Sequence, residues 1–279
     1  MIGSIIGDIC GYPYQSWLMT YIDMNTPIIN YSCRPTDDSV LTIAVADALL
    51  TKKSILSPET FREKYLEWFN KYPDAGYGPG FYEWAENGGK EEGKSNANGA
   101  AMRISPVGWL INDDERLMCS NTATTPTHNT EEAKRGASSI AYAISMYQHG
   151  WWTTKEQLLQ KFKETYHKDL VGRSIEEMLH WDKTTCRCDV TVPQALNCFL
   201  LSDNYEDCIR KSLNSQGDVD TIACMAGGIA EAYYWKTTGQ LPIPKKLYRF
   251  AMERLPADMK AVYYKFRDTY NLPKYDEAI

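Results

Sequence analysis

Thr36-Asp37-Asp38-Ser39 runs into VLTIAVADALL (Val40 to Leu50), and far downstream Gly217-Asp218-Val219-Asp220-Thr221 runs into IACMAGGIAEAYY (Ile222 to Tyr234). Each is a short polar cluster of carboxylates and hydroxyls that opens onto an apolar helical pattern, and Val40 to Leu50 predicts a helix buried on most sides. Helix capping explains part of this, since Asp, Ser and Thr at a helix start accept from unpaired backbone N–H groups and complement the dipole. Capping needs one such residue, two at most. Here four carboxylates and three hydroxyls stand at two helix starts. Gathered in one place, four carboxylates repel one another, a penalty that divalent cations would remove. An all-oxygen donor set suits Mg²⁺ or Mn²⁺ rather than zinc or copper. Capping and metal binding both stay open on spacing alone, because such strings are common at helix starts.

Upstream, Gly3, Gly7 and Gly11 form a stripe at four-residue spacing, with Ile2, Ile5, Ile6 and Ile9 around it. Glycine costs helix stability, so the row predicts another backbone packed closely against it. Pro13 ends that helix and places Tyr14 and Gln15 near its C-terminal end, and residues 20 to 35 read as a loop leading to Thr36. Downstream, Ser57-Pro58-Glu59-Thr60 starts a helix carrying Phe61, Tyr65, Trp68 and Phe69. The stretch from Tyr72 to Ala101 is rich in Gly, Asn and Tyr and reads as a long loop of the functional kind. Its aromatic residues Tyr77, Phe81 and Trp84 either pin the loop to the core or face a ligand. A helix-like stretch follows from Ala100 to Leu110, and further helices are expected over Glu131 to His149, Lys155 to His167, Ser174 to Trp181, Gln194 to Ser202, Tyr205 to Leu213, Lys246 to Arg254 and Met259 to Tyr270. Period 3.6 dominates and strand signals are few, so the expectation is an all-α fold forming one domain over residues 1–279.

Of 279 residues, 43% are hydrophobic and 24% charged, which suits a globular chain with a sizeable core. The formal net charge of −6 gives no general attraction to nucleic acid or to an anionic membrane. Eight scattered cysteines do not form a disulfide framework, and Cys10, Cys33, Cys119, Cys198, Cys208 and Cys224 read as free thiols. Cys186-Arg187-Cys188 lacks the second Cys or His pair that a zinc site needs. The apolar N-terminal segment carries Asp8 and no basic flank, so it does not read as a signal peptide. No uncharged apolar run reaches the ~20 residues needed to span a bilayer. The expected location is the cytoplasm, without membrane partners.

Five motifs in order, Gly7-Asp8, Thr36-Asp37-Asp38, Asn98-Gly99-Ala100-Ala101-Met102-Arg103, Thr127-His128-Asn129 and Gly217-Asp218-Val219-Asp220-Thr221, resemble those of the ADP-ribosylglycohydrolases, relatives of the dinitrogenase reductase-activating glycohydrolase. The resemblance covers essentially the whole chain. It implies a single helical domain with a dinuclear Mg²⁺ or Mn²⁺ centre at the base of a cleft, with Thr36, Asp37, Asp38, Asp218, Asp220 and Thr221 as metal ligands. It implies that the loop of Asn98, Gly99, Ala100, Ala101 and Met102 lies against the diphosphate of ADP-ribose, and that His128 contacts the same ligand. The implied activity is hydrolysis of the ribose C1″ bond to an acceptor. An arginine-linked protein is favoured as substrate, and a small-molecule or nucleic-acid conjugate of ADP-ribose stays open.

Catalytic candidates are Asp37, Asp38, Asp220 and the position of Gln15. Many relatives carry Glu at that last position, where in some it reaches the metal site. Gln cannot accept a proton at neutral pH, though its carbonyl can still bind a metal or water. Three readings follow: catalysis by another carboxylate, an ADP-ribose binder with reduced or no turnover, or an engineered inactive form. A structural protein without metal affinity is a further class. Gln216 and Ala97 stand where the family often has glycine.

Overall fold

The computed structural model describes residues 1–15, 25–51, 56–110, 113–166 and 169–276. The part of the expected 20–35 loop before residue 25, and His167 at the end of one expected helix, lie outside the described residues. The chain opens with α1 (Ile2–Gly11) and a 3₁₀ turn (Tyr12–Tyr14), then α2 (Asp37–Leu49), α3 (Pro58–Lys71), α4 (Pro79–Glu86) and α5 (Gly99–Met102). A second 3₁₀ turn (Ser105–Trp109) leads to α6 (Asp113–His128), α7 (Glu131–Gln148), α8 (Lys155–Thr165) and α9 (Ile175–Met178). The remainder is α10 (Cys188–Leu201), α11 (Tyr205–Asn214), α12 (Val219–Thr238), α13 (Lys245–Arg254) and α14 (Ala257–Tyr270). Among the described residues there are no strands, only two isolated β-bridges, Lys94 with His128 and Ala97 with Arg187. The fold is all-α.

The centre of the molecule is α12, buried continuously from Val219 to Ala232 and packed against α1, α7, α10 and α11. It ends on Gly239 in the left-handed conformation, φ 68°, whose N–H caps the carbonyl of Trp235. The glycine stripe of α1 lies directly on it. A Cβ built on Gly3 would collide with the Gly227 carbonyl, on Gly7 with the Ala223 carbonyl, and on Gly11 with the Cα of Asp220. The stripe thus brings two backbones into contact, and Ile2, Ile5, Ile6 and Ile9, all fully buried, fill the grooves beside it at about 1.5–3 kcal/mol each. At the start of α1, the α-amino group of Met1 is buried and donates to Glu231 Oε2 at 2.6 Å.

The expectations for α2 and α3 hold. In α2 every residue is buried except Asp37 and Asp47, and α3 buries Thr60, Phe61, Tyr65, Trp68 and Phe69. Besides α10, which starts at Cys188 ahead of the expected Gln194 and takes Pro193 inside it, three regions differ from the sequence reading. The long glycine-rich loop contains α4, which turns Tyr77, Phe81 and Trp84 into one aromatic stack, Tyr77 on Phe81 at 5.0 Å and Phe81 on Trp84 at 5.4 Å. The stretch Ala100 to Leu110 is two short pieces, because Pro106 sits in the first turn of the 3₁₀ segment and starts it afresh. And α6 occupies residues in which the sequence reading placed no helix. Its threonines satisfy themselves along the helix: Thr122, Thr124 and Thr125 donate to the carbonyls of Met118, Ser120 and Asn121.

Candidate active site

The first acidic cluster forms the N-terminus of α2. Thr36 has extended backbone, φ −117° and ψ −165°, and its side chain accepts from the N–H of Asp38 at 3.3 Å. That is capping, as the sequence allowed. Beneath it lies Asp8, fully buried on α1. Its Oδ2 accepts the N–H groups of Thr36 at 2.9 Å and Ser39 at 3.1 Å, and also the Ser39 hydroxyl. Its Oδ1 accepts the Thr36 hydroxyl at 2.6 Å. Asp8 therefore ties α1 to the start of α2.

The second cluster reaches α12 through a strained turn. Gln216 and Gly217 both take positive φ, 62° and 87°. The left-handed region costs a non-glycine residue about 1–2 kcal/mol, which explains why glycine suits position 216, and Lys183 Nζ donates to the side-chain amide oxygen Oε1 of Gln216. Asp220 then projects from the first turn of α12, against the stripe residue Gly11.

One carboxylate oxygen each from Asp8, Asp38 and Asp220 lie within 4.8 Å of one another. Thr221 donates to Asp38 Oδ2 at 3.3 Å, and Asn98 donates to Asp218 Oδ2 at 2.8 Å. Two oxygens are left over. Asp38 Oδ1 and Asp220 Oδ2 are buried without a hydrogen-bond partner. Among the described residues no Lys or Arg forms an ion pair with any of these carboxylates.

An unpaired buried carboxylate is costly unless a cation or proton neutralises it. Burial accordingly pushes the Asp38 carboxyl well up, helped by Asp8, Asp37 and Asp218, and does the same to Asp220, helped by Asp218, Asp38 and Asp8. Asp37 is also raised well above the usual range, by burial and then by Asp8 and Asp218. Burial raises Asp8 as well, against the opposing pull of the Ser39 and Thr36 hydrogen bonds. Hard oxygen donors with orphaned lone pairs and no neighbouring cation fit a divalent metal ion.

Above the acids opens a cleft of about 690 Å³. Gln15, Asp37, Asp38, Asp218 and Thr221 line it, as do Asn98, Gly99, Met102 and His128 from the second group of candidates. Thr36 and Asp220 are buried but do not line it, and Ala100 and Ala101 are fully buried in α5. Gln15 is exposed, one residue past the 3₁₀ turn. Tyr77 and Phe81 line the cleft too, so the aromatic stack both pins α4 and faces the cavity.

Several residues at the site were not singled out by the sequence. Asp8 was visible only as half of a motif. Cys186-Arg187-Cys188 proves to be a clamp on the 96–98 loop. Asn98 N–H donates to the Cys186 carbonyl at 2.7 Å, Cys188 N–H to the Asn96 carbonyl at 3.0 Å, and Cys188 Sγ to the Ala97 carbonyl at 3.2 Å. On its other side the same loop is held by α6, through Gly93 N–H to the Pro126 carbonyl and Asn129 N–H to the Gly93 carbonyl.

Arg103 is fully buried, its guanidinium 4.1 Å over the Tyr65 ring. It donates to Thr127 Oγ1 at 2.7 Å, and Thr127 Oγ1 meets His128 Nδ1 at 2.6 Å. Burial, and then the nearby Arg103 charge, hold the His128 imidazole well below its ordinary pKa, so the ring is neutral at pH 7.

These features define an all-α protein with a cation-competent acidic cluster under a cleft large enough for a nucleotide-sized ligand. The ADP-ribosylglycohydrolase family model matches residues 1–250, and the chain belongs to that family, one of hydrolases acting on ADP-ribose conjugates. It is similar to an uncharacterized protein, YegU, of Escherichia coli strain K12, at 25% identity over 84% of this chain and 86% of the relative. It is also similar to the ADP-ribosylhydrolase ARH3 of Danio rerio, at 25% identity over 84% of this chain and 81% of that one. The mouse ARH3 is 26% identical over 71% of this chain and 69% of its own. Among solved structures, one described as an ADP-ribosylglycohydrolase-related protein complex superposes with a TM-score of 0.69 at 22% identity, covering 96% of this chain and 95% of that chain. That likeness concerns the fold. Among the described residues no helix is long and apolar enough to cross a membrane.

Proposed function

We propose that the protein hydrolyses the bond between ribose C1″ of ADP-ribose and a modified acceptor, at a pair of Mg²⁺ or Mn²⁺ ions. The observation that carries this reading is the pair of buried, partnerless oxygens, Asp38 Oδ1 and Asp220 Oδ2, beneath a cleft lined by the motif residues Asp37, Asn98, Gly99 and His128. Thr36, Asp37, Asp38, Asp218, Asp220 and Thr221 would hold the ions, with Asp8 completing the acidic floor. Metal bound there supplies Lewis acidity and lowers the pKa of a water.

The protein's own groups do the rest. The loop from Asn98 to Met102 binds the diphosphate, with Asn98 held by Asp218, and neutral His128 donates to a ligand oxygen. Tyr77 and Phe81 shield one side of the ligand from water. As the C1″–acceptor bond breaks, a water adds to C1″ through an oxocarbenium-like transition state and gives one proton to a carboxylate, which passes it to the leaving acceptor. The other proton stays on the new C1″ hydroxyl, and the carboxylate is regenerated. Asp37 and Asp38, which line the cleft, are the candidates for that transfer, and Asp220, buried in the same acidic cluster, would support them.

An arginine-linked protein is the favoured substrate. A second hollow of about 470 Å³ shares Gly80 and Gly93 with the cleft and is lined by Glu83, Glu91 and Glu92, beside Lys90, which favours a cationic acceptor. The eight free cysteines suit the reducing environment of a cytoplasmic protein. The second reading is an ADP-ribose binder with little turnover, favoured by Gln15 at the cleft, the position where the family resemblance implies Glu in many members.

One experiment separates them: release of ADP-ribose from an arginine-ADP-ribosylated protein, with Mg²⁺ and with EDTA, beside the Gln15→Glu variant. Metal-dependent release by the unaltered chain supports the hydrolase. Release by Gln15→Glu alone supports the binder, and silence from both sinks the arginine assignment.

A further inference from the structure

We propose that Arg103 and Thr127 are positioning residues that lock His128 in its Nε2–H tautomer, so that the imidazole faces the cleft as a hydrogen-bond donor. The argument is a count of protons. Arg103 has only donors, so Thr127 Oγ1 accepts from its Nη2 at 2.7 Å. The hydroxyl keeps one proton of its own to place. Its neighbours on α6 solve this by donating four residues back: Thr122 to the Met118 carbonyl at 2.6 Å, Thr124 to Ser120 at 2.8 Å and Thr125 to Asn121 at 2.9 Å.

For Thr127 the matching acceptor is the Ala123 carbonyl. That oxygen already accepts the Tyr65 hydroxyl at 2.7 Å and Arg103 Nη2 at 3.2 Å, which fills both lone pairs. The remaining partner of Thr127 is His128 Nδ1, at 2.6 Å. Nδ1 must then be the acceptor, and the proton of a neutral ring stands on Nε2. A methyl group at Gly99 would lie 3.0 Å from both Nε2 and Cε1, so glycine there leaves the Nε2–H edge of the ring clear.

Arg103 suits this duty. Its guanidinium is fully buried, with Nε and Nη1 lacking partners, and no carboxylate forms an ion pair with it among the described residues. The charge therefore acts on Thr127 and on the ring, and disfavours a second positive charge on His128. An N–H donor beside the 98–102 loop matches an acceptor-only oxygen such as that of a diphosphate. The relay stands on geometry alone; only the identity of its ligand rests on the functional reading above.

The test is imidazole ¹⁵N NMR on the full chain without ligand, in which His128→Asn identifies the His128 signals among the four histidines. The expected spectrum at neutral pH has Nδ1 unprotonated and Nε2 protonated. Thr127→Val removes the hydroxyl proton, so the tautomers mix, and ADP-ribose affinity measured by calorimetry falls about tenfold, the size of one lost hydrogen bond to a buried group. Thr127→Ser restores both. A protonated Nδ1 in the unaltered protein, or a Thr127→Val spectrum with the Nε2–H tautomer intact, overturns the relay. Failure of the unaltered protein to bind ADP-ribose overturns the functional reading instead, while the nitrogen spectrum still decides the tautomer.

Discussion

Replacing Asp8 with Asn and with Ala should have opposite consequences for stability. In the metal-free protein, Asp8 carries a folded-state pKa raised above its ordinary value, chiefly by burial. A raised folded pKa means stability that is present below the unfolded value and is lost as pH rises through the folded one. At neutral pH the Asp8 charge therefore costs stability unless a metal ion compensates it. Asn removes the charge and keeps most of the bonding: its carbonyl can take the Thr36 N–H, Ser39 N–H and Ser39 hydroxyl that Oδ2 now accepts. Only the Thr36 hydroxyl must turn and accept from the Asn amide.

Asp8→Asn should thus lie within about 1 kcal/mol of the unaltered protein in EDTA, on the stabilised side. Asp8→Ala strands two backbone N–H groups at the start of α2 and leaves a cavity, for a loss of about 3–5 kcal/mol. Thermal unfolding followed by circular dichroism reads this directly, since 1 kcal/mol corresponds to a few degrees in a chain of this size. Repeating the scans with Mg²⁺ should place Asp8→Asn below the unaltered protein, because the variant has one negative charge fewer at the site. If Asp8→Asn in EDTA falls as far as Asp8→Ala, the carboxylate is a satisfied structural cap and the reasoning fails.

Mg²⁺ at about a hundred times its dissociation constant should stabilise the unaltered protein by about 2.7 kcal/mol, an effect that calorimetry should find reversed by EDTA and lost in Asp220→Asn. Gly7→Ala should destabilise by about 1–3 kcal/mol in urea titrations, even though alanine is the better helix former by about 1 kcal/mol, because the new Cβ meets the Ala223 carbonyl. His128 stays neutral in the fold while the unfolded chain takes up a proton near its ordinary value of 6.5. Its contribution to stability is therefore complete above that pH and declines progressively below it. In denaturant titrations across this range, His128→Asn should flatten that slope; an unchanged slope would show that His128 titrates normally.

The legible parts of the chain were those whose local pattern and tertiary role agree. Val40 to Leu50 and Ile222 to Tyr234 are apolar all round because they are surrounded, and the Gly3, Gly7, Gly11 row announced a backbone neighbour without naming it. That neighbour was α12, and knowing it would have put Asp8 beside Asp220. No spacing within the sequence links those two residues. The helix α6 was illegible for a different reason: its polar threonines lack apolar periodicity and fold back on their own carbonyls, which a pattern of burial does not register. The clamp of residues 186–188 on residues 96–98 is a long-range backbone pairing, and the side chains of that segment, which argued against a zinc site, carried no signal for it. Likewise Ala100 and Ala101 carry the motif, yet they serve as the buried side of α5, while Asn98 and Gly99 face the cleft.

The seam between α1 and α12 also orders events in time. A ribosome delivers Asp8 and Asp38 early and Asp220 only after most of the chain has emerged, so the nascent protein holds two of its three clustered acids long before the third arrives. Long-range contacts of this kind form late in folding. Until the glycine row docks, the polypeptide presents scattered carboxylates with no more hold on a cation than any acidic surface. On the proposed reading, metal capture would report that α1 and α12 have met, and a fragment ending before Val219 should emerge from synthesis without it.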